Sequence, residues 1–262
     1  MTKSESEEFL ENVLEIGRRL VQTGAEAQRV EDTIRRICFA YGFVSCEVYA
    51  VASLIVVTIK DAANHHFTQS VRITSTATDL GKLEELNAYS RKICVEKPEI
   101  SEITKYLTNY TKPKSNILIK CMGYMLAAGG FAVFFGGSLL DGLAAATTAI
   151  AIYFMDYNFK LRNINGVVYT FVASLFSGCI AILFTHFGFG NNVDKVIIGD
   201  IMLFIPGLIV VNSVKEMFTR DIVTGLYKLI EAALITVAIA AGFGLSFVLF
   251  GGNFVWNRKL YR

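Results

Sequence analysis

The spacing of apolar positions changes character along the chain, and each change marks a new kind of element. Phe9, Leu10, Val13, Leu14, Ile16, Gly17, Leu20 and Val21 recur at intervals of three and four, the stripe of an amphipathic helix. Ser4-x-x-Glu7 reads as its capping box, and Gly24 ends it. A second capping box, Thr23-x-x-Glu26, precedes Ala27, Val30, Ile34, Ile37 and Cys38, again at helical spacing, and Tyr41-Gly42 closes that helix. From Val44 the pattern turns β-branched. Val48 and Ala50, then the run Leu54 to Ile59, predict two strands with Ala52-Ser53 between them. Asp61 to Asn64 is a turn, and the alternation from His66 to Thr74 predicts a third strand. Thr78-Asp79 then caps a helix through Leu80, Leu83, Leu86, Asn87 and Ile93, and Pro98 stands at the first position of a last short helix ending near Asn109. The expected fold is an α+β domain over residues 1–115, in the order α-α-β-β-β-α-α.

Beyond residue 116 the pattern is no longer amphipathic. Uncharged runs cover 121–140, 142–155, 166–193 and 232–257. A hydrocarbon layer about 30 Å thick needs about 20 mostly apolar residues per helix, and two of these runs exceed that length by themselves. The remainder, 116–262, is therefore expected to be an all-α transmembrane bundle of about five helices, at 117–135, 139–155, 166–187, 196–214 and 229–250. Gly136-Gly137-Ser138 makes the tight reversal between the first two.

Charge sharpens this division. Residues 1–116 carry 16 acidic and 15 basic side chains out of 48 charges in the whole chain, and the rest cluster in short segments between the apolar runs. Lys and Arg alternate with Glu and Asp in the first part, and the net charge is only +2, so no nucleic-acid footprint is present. The five cysteines form no C-x-x-C pair, which fits reduced thiols. The start, MTKSESEEFL, is acidic without an apolar core, so no cleavable signal peptide is expected and the first span serves as the insertion signal. With the N-terminus inside, Lys112, Lys114, Lys120, Lys160, Arg162, Lys215, Arg220 and Lys228 fall on the cytoplasmic side and only Lys195 outside. Five spans would place Arg258, Lys259 and Arg262 outside, against the trend. The expected location is the cell inner membrane, multi-pass, with a cytoplasmic N-terminal domain.

Ionisable groups at membrane depth are costly, which makes them candidates for a substrate or proton pathway. Asp200 either binds a proton or a substrate amine, or sits at the interface and snorkels, or caps the helix with Gly199. Asp141 follows the reversal and either acts in transport or complements the dipole at a helix start. Glu231 opens the fifth span and could pair with Lys228. His186 closes the third span as an interfacial tip. Pro206-Gly207 is the sharpest backbone signal, a kink or break inside a span. Asn212 and Ser213 follow it and could offer neutral hydrogen bonds. Gly129-Gly130, Gly136-Gly137 and Gly242-x-Gly244 read as close-packing surfaces. In the first domain, Glu26, Arg29, Glu31 and Arg91 read as an ion-pair network, with a ligand or docking role as the alternative. No Walker loop occurs, His65-His66 lacks partners at ligand spacing, and neither G-x-S-x-G nor H-E-x-x-H is present. No catalytic residue, metal or cofactor is expected, and the chain is not expected to be an enzyme.

Gly17-Arg-Arg-Leu-Val-Gln-Thr-Gly-Ala-Glu26, with Arg29-Val-Glu31-Asp-Thr33 and Leu83-Glu-Glu-Leu-Asn-Ala-Tyr-Ser-Arg91, resembles the N-terminal signature of the threonine/serine exporter family. Phe135-Gly-Gly-Ser138 with Asp141 is similar to the family's first hairpin. Ile201-Met-Leu-Phe-Ile-Pro206-Gly207 with Asn212, Gly225 and Glu231-Ala232 is similar to its fourth and fifth spans. The resemblance implies a secondary exporter of a small polar metabolite, an amino acid such as threonine or serine or a dicarboxylate such as succinate, and a functional hinge at Pro206-Gly207. It also implies the split form of the family, in which a second, smaller multi-pass membrane subunit, or a further copy of the chain, completes the transporter. The competing expectation is a non-transporting sensor or scaffold with a ligand-binding cytoplasmic domain.

Overall fold

The two opening apolar stripes become α1 (Lys3–Gln22) and α2 (Ala27–Ala40) in a computed structural model that describes residues 3–109, 116–160, 165–219 and 221–251. The buried face of α1 holds every apolar residue of its stripe, with Ser6 and Asn12, and that of α2 is Ala27, Val30, Ile34, Ile37 and Cys38. Two cap assignments differ from the sequence reading. α1 already begins at Lys3, so Ser4 lies inside it. The Thr23 hydroxyl donates to the Arg19 and Leu20 carbonyls at 2.9 Å and so serves the end of α1 instead of the start of α2. A threonine hydroxyl at a helix end bonds back readily to the carbonyls three and four residues before it, here alongside the amides that those carbonyls also accept. Gly24, at φ +93°, turns the chain between the two helices.

Strands β1 (Ser45–Val51), β2 (Leu54–Lys60) and β3 (His66–Arg72) form an antiparallel meander in the order β1-β2-β3. Alternation puts Cys46, Val48 and Ala50, then Ile55, Val57 and Ile59, on the core face. There they join Phe9, Leu10, Val13, Ile16 and Leu20 of α1 in one hydrophobic core. Helices α3 (Leu80–Glu96) and α4 (Ile100–Asn109) cover it with Leu86, Ile93, Ile103 and Leu107. Asp79 caps α3 through the Lys82 amide, as its position suggests. Pro98 falls two residues before α4 instead of inside it, because Lys97 turns the chain at φ +48° and the Pro98 carbonyl accepts the Tyr41 hydroxyl at 2.6 Å.

The apolar half gives α5 (Ile117–Phe134), α6 (Leu139–Lys160), α7 (Gly166–His186), α8 (Val193–Ile201), α9 (Gly207–Phe218) and α10 (Ile222–Ser246), extended by a π-helical turn over Phe247–Gly251. Among the described residues four helices, α5, α6, α7 and α10 with its extension, are long and apolar enough to cross a membrane. The span expected at 196–214 is not continuous. It is two short helices, α8 and α9, separated by Met202–Pro206. Proline removes an amide and clashes with the preceding turn, and here the turns before it close on themselves: Leu203 and Phe204 donate to the Asp200 and Ile201 carbonyls at 3.1 and 2.9 Å.

The chain divides into two compact units. One joins residues 1–113 to 210–229, and the other joins 114–209 to 230–262. The first therefore takes in most of α9 and the start of α10. In the second, α5 meets α6 where Gly129 faces Gly142, and a Cβ on Gly129 would stand 2.8 Å from the Gly142 carbonyl. Gly199 of α8 lies directly on the Ala128 carbonyl and Ala132 of α5. Small residues thus let the helices approach closely, as expected where lipid removes the hydrophobic drive between them. Leu118, Leu126, Phe134 and Leu139 point outward, 71–79% exposed, as a lipid-facing surface requires.

Candidate functional site

The buried stripe of α7 is unusually polar for a membrane helix. Thr170, Ser174, Ser177, Gly178 and Thr185 share its inward face with Ala173, Ala181 and Ile182. Asn165 caps the helix through the Val167 amide, which fixes where this stripe begins. Opposite it, the last turn of α8 carries Asp200, fully buried. The Ser177 hydroxyl donates to Asp200 Oδ2 at 2.8 Å. Asp200 Oδ1 is buried without a partner, and so is Ser174 Oγ one turn along α7. Gly242 and Ser246 of α10 close on the same stripe, Gly242 against Ser174 and Ser246 against Gly178. An orphaned oxygen inside hydrocarbon costs several kcal/mol, so its presence at two adjacent positions points to a ligand or proton that completes it. Two residues beyond Asp200 the chain enters the Met202–Pro206 break, where the Asp200 and Ile201 carbonyls are taken by the turns that follow and the Gly207 amide donates to the Ile205 carbonyl at 2.8 Å.

Asp141 is the other buried carboxyl of this unit, and its surroundings are the opposite. It accepts from the Ser138 amide and hydroxyl at 2.8 Å each, from the Asn192 amide at 2.8 Å and side chain at 3.2 Å, and from the Asn191 amide. Its own amide returns a bond to Ser138 Oγ, the reciprocal pattern of a capping box at the start of α6. The carboxylate is saturated, and it ties the 136–138 reversal to the 188–192 loop. A third carboxylate, Asp156, accepts the Tyr124 hydroxyl at 3.0 Å near the other end of α6.

The chain matches the threonine/serine exporter family over residues 11–250. It belongs to that family. Two relatives are the threonine/serine exporter of Corynebacterium glutamicum, 24% identical across 89% of this chain and 50% of that protein, and the "Probable succinate transporter subunit YjjP" of Escherichia coli K12, 25% identical across 91% of this chain and 93% of that protein. The chain thus spans about half the length of the first and nearly all of the second. No solved structure matches it. Family and relatives are transporters, not enzymes, and with four apolar helices they make this a multi-pass membrane protein.

Within this member of the family the sequence-derived candidates scatter. Asp200, Pro206 and Gly207 fall in one unit around the helix break, whereas Asn212 lies in the other, half-buried on α9. Glu231 is half-buried on α10. Lys228 reaches Glu216 at 2.6 Å, and His186 sits exposed at the end of α7. Glu26, Arg29, Glu31 and Arg91 do not pair with one another among the described residues. Glu31 holds Arg35 at 3.2 Å and the Ala50 amide at 3.0 Å on the edge of the sheet, and Glu26 takes Lys215 at 2.9 Å. Arg29 and Arg91 do meet, as two walls of one cleft between α2 and α3.

Sequence reasoning missed Glu216. It is 1% exposed, receives Lys228, and accepts the Ala27 amide at 3.3 Å, so a carboxylate from α9 caps the N-terminus of α2. Only its charge, beside that of Lys215 in the last turns of α9, marks it. Lys215 and Lys228, which the charge rule placed on the cytoplasmic side, are both taken up in ion pairs of this unit. Lys112, Lys114, Arg162, Arg220, Arg258, Lys259 and Arg262 lie outside the described residues, as does the side chain of Lys160.

Proposed function

We propose that this chain is a subunit of an inner-membrane secondary transporter that exports a small polar metabolite, of the amino-acid or dicarboxylate type borne by its relatives' names. The observation that carries the reading is the fully buried Asp200, held at one oxygen by Ser177 and unpartnered at the other, two residues before a broken helix. A proton or an ammonium group on Oδ1 would satisfy that oxygen, and exchange of proton for cargo there would couple the gradient to export. Pro206 and Gly207 are the hinge across which α8 and α9 change angle, and Ser174 supplies a second, neutral contact. Asp141 holds the loop geometry of the unit through its five donors. The N-terminal domain is cytoplasmic in this reading. A second, smaller multi-pass subunit or another copy of the chain completes the carrier, in line with the word subunit in the name of the Escherichia coli relative.

A metabolite profile of cells lacking this chain tests the proposal. Intracellular threonine and serine, or succinate, should rise several-fold and return to normal on complementation. Unchanged levels of every amino acid and dicarboxylate would refute exporter function.

A further inference from the structure

A cleft of about 830 Å³ opens between α2 and α3 of the first unit. One wall is Arg29, Asp32, Thr33 and Arg36, and the facing wall includes Asn87, Ser90 and Arg91. Three guanidinium groups against one carboxylate leave a local charge of +2. The acidic neighbours do not cancel it. Asp32 leans on Arg35 at 3.6 Å, Glu31 takes Arg35 too, and Glu26 takes Lys215. Cys94, half-buried, and the exposed Phe39 and Val95 form an apolar floor and rim. Burial pushes the Cys94 thiol up, while Arg36 is close enough to pull it the other way. Two of the three segments that carry the N-terminal resemblance, 29–33 and 83–91, border this one space, while Val30 and Leu86 of the same segments point into the core.

We propose that this cleft is a binding site for a small dianion, in which Arg29 and Arg91 clamp the two ends of the ligand and Arg36 with Asn87 fixes its orientation. Guanidinium forks match carboxylate and phosphate oxygens in paired hydrogen bonds, which gives geometric selection as well as charge. The volume is of the size of small-molecule pockets, and the apolar floor accommodates the short carbon body of a dicarboxylate. Inorganic phosphate offers the same charge without that body. The site is separate from Asp200 and gives the first unit a ligand-sensing role whichever metabolite the membrane unit moves.

Cys94 provides a local readout. The purified full-length chain is alkylated with iodoacetamide at pH 8.5, alone or with succinate, inorganic phosphate or threonine, and modification of Cys94 is followed by mass spectrometry. The inference expects succinate, phosphate or both to slow Cys94 alkylation at least fivefold, and the more effective of the two names the ligand class. Threonine, a zwitterion, should protect at least fivefold less. Protection should be lost in Arg29→Gln with Arg91→Gln and retained in Asp200→Asn, so that failure here and failure of the transport reading can be told apart. Absence of protection by either dianion, equal protection by threonine, or protection that survives the double arginine substitution would each overturn the inference.

Discussion

Lys228→Met tests whether the Glu216 contact is a structural latch or a surface coincidence. In the native chain the Lys228 ammonium lies 2.6 Å from Glu216 Oε1, with the two side chains 14% and 2% exposed. The same oxygen accepts the Ala27 amide at 3.3 Å, and Glu216 Oε2 has no partner. Removing the lysine leaves a buried carboxylate with one weak donor. Breaking such a pair from one side costs about 3–5 kcal/mol, because the desolvation of the survivor is no longer offset. Replacing both partners by methionine removes the stranded charge, and the remaining loss is the cap on α2, about 0.5–1.5 kcal/mol. The assay is hydrogen exchange by mass spectrometry on the full chain, comparing peptides from 25–40 and 213–228. Lys228→Met should lower their protection roughly a hundredfold or more where exchange proceeds through loss of this contact. Glu216→Met with Lys228→Met should recover most of it. If Lys228→Met changes protection by less than threefold, or the double substitution is worse than the single, the latch does not exist as described.

Asp141→Asn should cut the amount of folded protein in the membrane, since it weakens five hydrogen bonds to a carboxylate that are each worth about 1.5–3 kcal/mol at most; detergent-solubilised yield and thermal aggregation measure this. Gly199→Leu should prevent α8 from seating on Ala128 and Ala132, seen as loss of monodisperse protein by size exclusion, whereas Gly123→Leu, in open space, should be neutral. Ile16→Ala, fully buried between helix and sheet, should destabilise the first unit by about 2–5 kcal/mol in denaturant titration. Burial alone would raise the Glu15 carboxyl, but hydrogen bonds and charge from Arg18 and Arg19 outweigh it and hold it below the ordinary glutamate value of about 4.3. A depressed folded value stabilises above the unfolded one and is lost as pH falls through the folded one. Glu15→Gln should therefore be less stable than the native chain at neutral pH, with the gap closing below about pH 4; equal melting curves at pH 7 would refute it.

The periodicities that made the first two helices and the meander legible are local, and they survive because one face of each element is buried against its neighbours. The boundaries of β1 and β2 around Ala52-Ser53 follow from residue type alone. Thr23 shows where that legibility ends: a hydroxyl between two helices can cap either, and only the geometry assigns it to α1. The stretch 196–214 looks long enough to span, since hydropathy averages over the turn that Pro206 forces. Asp141 and Asp200 are indistinguishable as lone acids at membrane depth, and what separates them is five donors against one. The partnership of Glu216 with Ala27 joins residues 189 apart in sequence, beyond any spacing rule.

Asp200→Asn, assayed for export of labelled threonine and succinate from preloaded cells that lack the native gene, tests the central claim most directly. With membrane levels of the variant equal to the native chain, the account predicts at least a tenfold loss of export and partial return in Asp200→Glu. Export at the native rate by Asp200→Asn would contradict it.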